Sequence, residues 1–271
     1  MRKTALKLAA IALAVLMAGP ALAAPRCRNT GSFEKWLADF KKEALEKGIS
    51  PKVLAEAAPD MTFDPAIIRR DQGQAVFNLT FLQFSDRLIA GYRMQNGEAA
   101  MKKHARLFAE VEKAYGVPAP VLTAFWGLES DFGKMFGNYK ILRALTTLAY
   151  DCRRGDYFRP QLMDALRLIQ RGDQKIPDMV GAWAGEFGGI QITASDYYKY
   201  GVDFDGDGRV DLRHSVPDVL ASTANLLKQN GWQAGQPFGP GTANFQAMRE
   251  WNHAELYRRA LVLFAERLGG G

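Results

Sequence analysis

The sequence predicts a mainly α-helical protein, on three observations. Apolar residues recur at spacings of three and four along most of the chain. Runs with clean period-two alternation are almost absent. The periodic stretches also open on Ser or Pro and close on Gly, as helices do. In order, Phe33, Trp36, Leu37, Phe40 and Ala44 mark a first helix, with Ser32 as N-cap and Gly48 as stop. Ser50-Pro51 restarts a short one. A charged amphipathic helix is expected from Gly97 to Tyr115, ending at Gly116, and Leu162, Ala165, Leu166 and Ile169 mark another. Ser215 caps a helix reaching Asn230, and a last one runs from about Ala254 to Leu268, burying Tyr257, Leu261, Phe264 and Leu268. The segment Gly235–Gly241, rich in Gly and Pro, reads as a surface loop between the last two helices.

Ahead of these elements stands a segment of another kind. Arg2, Lys3 and Lys7 precede an apolar run from Leu8 to Ala18, followed by small residues at Ala21 and Ala23. This is the pattern of a secretory signal peptide over 1–23, with a run short for a bilayer span, so export to the periplasm is expected. No stable membrane insertion is expected. No lipid-attachment pattern precedes Cys27. Losing the three basic residues takes the formal charge from +6 to +3, because 1–23 holds no acid. That mild balance suits an anionic polymer and lacks the dense basic stripe of a nucleic-acid binder. The remaining 24–271, with 48% hydrophobic residues in the full chain, can bury one large core. No separate wall-binding module is expected. Cys27 and Cys152 are the two cysteines; in an oxidising compartment they read as a disulfide, closing a loop worth up to about 5 kcal/mol, with two buried thiols as the alternative.

The residues from Val117 to Gly133 read as one short helix, opened by Pro118 and Pro120 and closed by glycine. Counting back from Glu129 by three, four and seven reaches Trp126, Phe125 and Leu122, so its carboxyl leaves the apolar face. Desolvation and the negative end of the helix dipole both raise a carboxyl pKa, which suits a general acid. A buried ion pair or a solvent-facing Glu is the plainer reading of the same spacing. Further on, Asp203, Asp205 and Asp207 at loop positions one, three and five, Gly208 at six and the carbonyl of Arg209 at seven form a pattern that wraps oxygens around calcium. Position twelve is His214, so another closing ligand is needed. The site is expected to hold a structural calcium or sodium, against an Asp-rich turn that binds nothing. Trp183, Phe187, Tyr197, Tyr198 and Tyr200 gather nearby, mostly as core, with one or two expected to face a cleft. His104, His214 and His253 lack zinc-site spacing.

Taken together, Glu129-Ser130-Asp131-Phe132-Gly133, the Tyr150 to Phe158 segment with Arg153 and Arg154, Gly181 to Gly185 leading to Gln191, the Asp203 loop, and Trp251-Asn252-His253 resemble the lytic transglycosylase B family. The resemblance runs from about Phe33 to Leu268. It implies a lysozyme-like fold with a catalytic cleft between helical lobes and an EF-hand-like loop. It implies Glu129 as the sole catalytic carboxyl, Gln191 and Asn252 as polar groups beside it, Arg153 and Arg154 near the peptide stem, Tyr257 as an aromatic near the site, and Asp218 as the closing metal ligand. The implied reaction cuts peptidoglycan strands without water or a catalytic cofactor and leaves 1,6-anhydro-muramyl ends. Three features depart from the family: Ala182 and Ala254 stand where serines are common, and Gly189 to Ala194 replaces a more aromatic stretch. Glu186 reads as a solvated loop charge. A lysozyme-type muramidase using Asp131 or Glu186 as second carboxylate, and a catalytically silent wall-binding protein, are the alternatives.

Overall fold

The computed structural model describes residues 31–73 and 80–270. The leader-like segment 1–23 and Cys27, one half of the expected disulfide, lie outside the described residues. Among the described residues no helix is long and apolar enough to cross a membrane.

Helix α1 (Phe33–Glu46) starts at Ser32, whose hydroxyl accepts from Lys35 N–H, and buries Phe40 and Ala44. Helix α2 (Pro51–Ala57) starts at Ser50 in the same way. Two short helices follow that periodicity did not disclose, α3 (Pro65–Gln72) and α4 (Phe81–Leu88). Each spans little more than two turns, so their signal lies in their caps, Asp64 and the Thr80–Gln83 capping box, rather than in a repeating stripe.

The helix expected from Gly97 to Tyr115 is two helices, α5 (Gly91–Lys103) and α6 (Ala105–Tyr115), parted at His104. Gly97 and Ala100 are buried on α5, and Phe108 and Val111 on α6. With His104 between them these positions keep the spacing of one continuous stripe, which hides the break. His104 instead turns its ring edge-on to Trp126, 5.9 Å between centroids.

Helix α7 (Ala119–Ser130) leads to a strand pair, β1 (Tyr139–Lys140) and β2 (Val180–Gly181), antiparallel with Tyr139 opposite Gly181. Between the strands lie α8 (Ile141–Tyr150) and α9 (Gly155–Arg171). Helix α8 is buried almost all round, from Ile141 to Ala149 with the exception of Arg143, so Thr146 and Thr147 on its polar side are buried along with its apolar residues. Then come α10 (Ala194–Tyr200), α11 (Val216–Gln229), α12 (Ala243–Ala247) and α13 (Glu255–Leu268). The Gly235–Gly241 loop is present, but α12 follows it, capped by Thr242, before the last helix.

The helices fall into two groups. One is built on α8 against α9, with α1, α2, α3 and α10 attached; the other is α7 against α13, with α4, α5, α6 and α11. Helix α11 touches α10 as well as α7, joining the groups. The segment between β2 and α10 runs between them, folded on itself by bridges from Phe187 to Gly181 and Ile192. A Cβ on Gly181 would lie 2.2 Å from the carbonyl oxygen of Glu186, so only glycine lets this segment close. Gly181→Ala is therefore expected to cost about 1–3 kcal/mol in urea unfolding, with an unchanged m-value.

Candidate active site

Helix α7 delivers Glu129 in its last turn. Leu122, Phe125 and Trp126 are buried on the face the spacing predicted. The helix stops earlier than expected, because Asp131 (φ 50°), Phe132 (φ 61°) and Gly133 (φ 78°) all adopt left-handed backbone. Two consecutive non-glycine residues in that region store strain that the surroundings must hold. They do so through Arg93, 3.5 Å from Asp131, and through the Phe132 ring, which packs edge-on against Trp126.

The Glu129 carboxyl is gripped on one oxygen. Trp251 Nε1 donates to Oε1 at 2.7 Å and the Tyr257 hydroxyl donates to the same atom. Oε2 receives neither. The residue keeps some exposure through the cleft, but protein surrounds the carboxyl closely, and burial pushes its pKa up to about 7. The hydrogen bonds from Tyr257 and Trp251 pull the other way, and the charge of Glu186 adds to the rise. The expected helix-end placement and raised pKa both hold, and desolvation is the larger cause. Tyr257, half-buried beside Glu129, is pushed far from ionisation by desolvation of its hydroxyl and by the carboxyl itself, so it stays a donor.

Glu129 lies in a cleft of about 530 Å³ between the two helix groups. Gln191 lines it with left-handed backbone (φ 47°), its amide donating to the Gly188 carbonyl at 3.0 Å. Asn252 lines it too, and its Oδ1 accepts from Ala254 N–H at 2.9 Å. Ala254 is the N-cap of α13 and has no capping hydroxyl, so the Asn252 bond fixes the turn just ahead of the helix rather than capping it. Ala182 is a cleft wall. Arg153 and Arg154 do not reach the cleft: both guanidiniums pair with the buried carboxylate of Asp71. Of the five clustered aromatics none lines the cleft. Phe187, Tyr197 and Tyr200 are core, Trp183 packs against it, and Tyr198 lies under the Arg171 guanidinium at 4.8 Å. The aromatic walls are Trp251 and Tyr157, the latter 51% exposed. Both sit inside quoted motifs, but a stretch of sequence does not show which side of a loop faces inward.

Glu186 is not a solvated loop charge. It is half-buried, lines the cleft with Glu129, and burial raises its pKa. Asp131, the other expected second carboxylate, is held by Arg93 and is not a cleft wall. Asp196 and Glu250 complete an acidic lining. Ser130 fastens the two sides: its buried hydroxyl donates to the Gly189 carbonyl and accepts from Gly133 N–H at 2.9 Å.

In the acidic loop, oxygens of Asp203, Asp205 and Asp218 lie within 4.8 Å of one another. Asp207 is not in this trio; its carboxylate lies 3.7 Å from the Arg209 guanidinium. Asp218 is fully buried, accepts from Phe204 and Asp211 N–H groups, and is raised by burial and by the charge of Asp205. Three converging carboxylates with no cationic side chain among them fit a hard, oxygen-seeking ion.

A helical fold with a cleft acid at the end of a buried helix defines the lysozyme-like class. The chain belongs to the transglycosylase SLT domain family, which matches residues 32–242. It is 33% identical over 160 residues to the membrane-bound lytic murein transglycosylase B of Escherichia coli K12, covering 58% of this chain and 44% of that relative, less than half its length. Its structure is similar to that of SltB3 from Pseudomonas aeruginosa in complex with NAG-anhNAM-pentapeptide, with a TM-score of 0.83, 31% identity, and 89% and 80% of the two chains covered. The fold is also that of the Escherichia coli lytic transglycosylase Slt35 in complex with calcium (TM-score 0.76, 22% identity, 90% and 93% covered).

Because the folded Glu129 pKa of about 7 exceeds its ordinary 4.5, the native state keeps a proton that the unfolded chain releases. Its contribution to stability is whole below pH 4.5 and is lost as the pH rises through 7. Glu129→Gln should therefore melt progressively higher than wild type between these limits. A melting-temperature difference independent of pH would reject burial as the cause.

Proposed function

We propose that this protein is a periplasmic lytic transglycosylase, cleaving the bond between N-acetylmuramic acid and N-acetylglucosamine in peptidoglycan. The observation that carries the reading is Glu129: a carboxyl held protonated near neutrality, pinned through Oε1 by Trp251 and Tyr257, at the wall of a cleft large enough for sugar rings. The family membership and the muropeptide bound to SltB3 support the substrate class.

Glu129 gives its proton to the glycosidic oxygen, which leaves as the N-acetylglucosamine 4-hydroxyl while positive charge develops at the muramyl C1. The muramyl 6-hydroxyl then attacks C1 and returns its proton to Glu129, closing the 1,6-anhydro ring. No water is consumed and the carboxyl ends as it began. Gln191 and Asn252 offer amide groups to the sugar substituents. Two guanidiniums share the single Asp71 carboxylate, which leaves net positive charge for a stem-peptide carboxylate. Ala182 brings no hydroxyl to the cleft, so orientation falls to the remaining polar groups.

The leader over 1–23 and a Cys27–Cys152 disulfide are part of this reading, as is a calcium or sodium ion held by Asp203, Asp205 and Asp218. The ion's contribution would be structural, tying the turn after α10 to the first turn of α11. It would relieve the repulsion between Asp205 and Asp218. The melting temperature should rise in calcium relative to chelator for wild type and should not do so for Asp203→Asn.

Glu186 in the cleft is the one observation that favours hydrolysis instead, and the products separate the two reactions. Digestion of purified sacculi, with muropeptides read by mass spectrometry, should give anhydro ends. Glu129→Gln should lower their release by about 10²–10⁴-fold, the usual worth of a general acid. Wild-type release should fall as the pH rises through about 7, where the acid loses its proton. Reducing ends without anhydro ends would reject the proposal. Sacculus binding without release, equal in wild type and Glu129→Gln, would point to a silent binding protein.

A further inference from the structure

We propose that Glu186, by its charge across the cleft, holds Glu129 in the protonated form and so serves as a positioning residue for the acid. The inference rests on the transglycosylase reading above and extends it to a second carboxyl.

Geometry makes Glu186 hard to explain otherwise. It lines both the main cleft and a narrow cavity beside it, against Leu145, Phe158 and Gln161. Its backbone has no slack. The Glu186 carbonyl accepts from Ala182 N–H at 2.7 Å, and a Cβ on neighbouring Gly185 (φ 94°) would meet Leu145 at 2.3 Å. Yet among the described residues its half-buried carboxyl has no ion pair, and its own backbone N–H is the hydrogen-bond donor that acts on it. Arg154, the cation that acts on it from a distance, is already paired with Asp71. A half-buried carboxylate with no direct cationic partner costs stability, and nothing in the packing requires an acid there.

Its charge acts on a neighbour instead. A negative charge across a poorly hydrated cleft opposes ionisation of a second carboxyl. Glu129 is raised to about 7, whereas Arg154 favours ionisation of Glu186, so Glu186 is the member of the pair that ionises first. The other groups around Glu129 cannot replace it. On α13 Tyr257 is a neutral donor, on α5 Arg93 is engaged by Asp131, and Glu250 and His253 line the same cleft, where the charge of Glu250 acts on Asp196. Asp196 on α10 and Tyr157 on α9 face Glu186 from the remaining sides, and Asp196 is itself raised by burial.

The test is anhydro-muropeptide release from sacculi across pH for wild type, Glu186→Gln and Glu186→Asp. Glu186→Gln should match wild type near pH 5 and fall several-fold below it at pH 8, its alkaline limb moved to lower pH. Glu186→Asp, which keeps the charge, should restore the wild-type limb. An unmoved limb in Glu186→Gln overturns the proposal, as does a selective loss of reducing-end products, which would make Glu186 a base for water. If Glu186→Gln is inactive at every pH, inactivity of Glu186→Asp also overturns it, and activity with the wild-type limb supports it. A second readout needs no turnover: the gain in melting temperature from Glu129→Gln at alkaline pH should shrink when Glu186→Gln is already present. Should wild type release no anhydro ends, the transglycosylase reading fails, and this coupling still decides the role of Glu186. Equal gains in both backgrounds would overturn it.

Discussion

The structure turns on one oxygen atom. Oε1 of Glu129 takes hydrogen bonds from Trp251 and Tyr257, which arrive just before α13 and from its first turn, while the carboxyl itself rides on α7. The site exists only if these two helices lie close together. Gly127 permits it: a Cβ there would come 2.7 Å from the Phe132 ring and 3.1 Å from Phe264 on α13. Burial of Phe264, Leu261 and Leu268 against α7 and its neighbours drives the approach, and the buried carboxyl is what that approach produces. Hydrophobic packing therefore sets the protonation state of the acid.

The opposite wall is held to this centre by polar links. Ser130, next to the acid, bonds the Gly189 carbonyl, and Gln191 two residues further on is turned into the cleft by left-handed backbone. The segment carrying Ala182, Glu186 and Gln191 is thus referred to the same helix end as Glu129. Strain at Asp131, Phe132 and Gln191 gathers around the cleft, where sharp turns re-aim side chains that regular helices would point elsewhere. At position 254, which carries no hydroxyl, the backbone N–H is bonded by the Asn252 side chain just ahead of α13. That binds one oxygen of a cleft residue into the fold.

Charge is distributed unevenly. The chain as a whole is basic, but Glu129, Glu186, Asp196 and Glu250 surround the cleft, and the arginines nearest it are drawn toward Asp71. A second concentration of acid, at Asp203, Asp205 and Asp218, lies at the entry to α11, the helix that touches both groups. Such a cluster at a joint stabilises the fold only when its repulsion is neutralised.

The sequence by itself determined the helical class, the start of α1, α2, α11 and α13, and the placement of Glu129 on an apolar face, because caps and periodicity are local and recur within a few residues. It did not show that α8 is buried on almost all sides, Thr146 and Thr147 included, or the break at His104, where the stripe continues unbroken across two helices. The ordered motifs brought Gln191, Asn252 and Tyr257 to notice. Tertiary structure alone decided that Trp251 and Tyr257 share one oxygen of Glu129, that Glu186 lines the cleft of the acid, that Arg153 and Arg154 close on Asp71, and that Tyr197 and Tyr200 belong to the core. Each of those outcomes joins residues tens of positions apart. It depends on which side of a loop or helix turns inward, and only the packing of the two helix groups settles that.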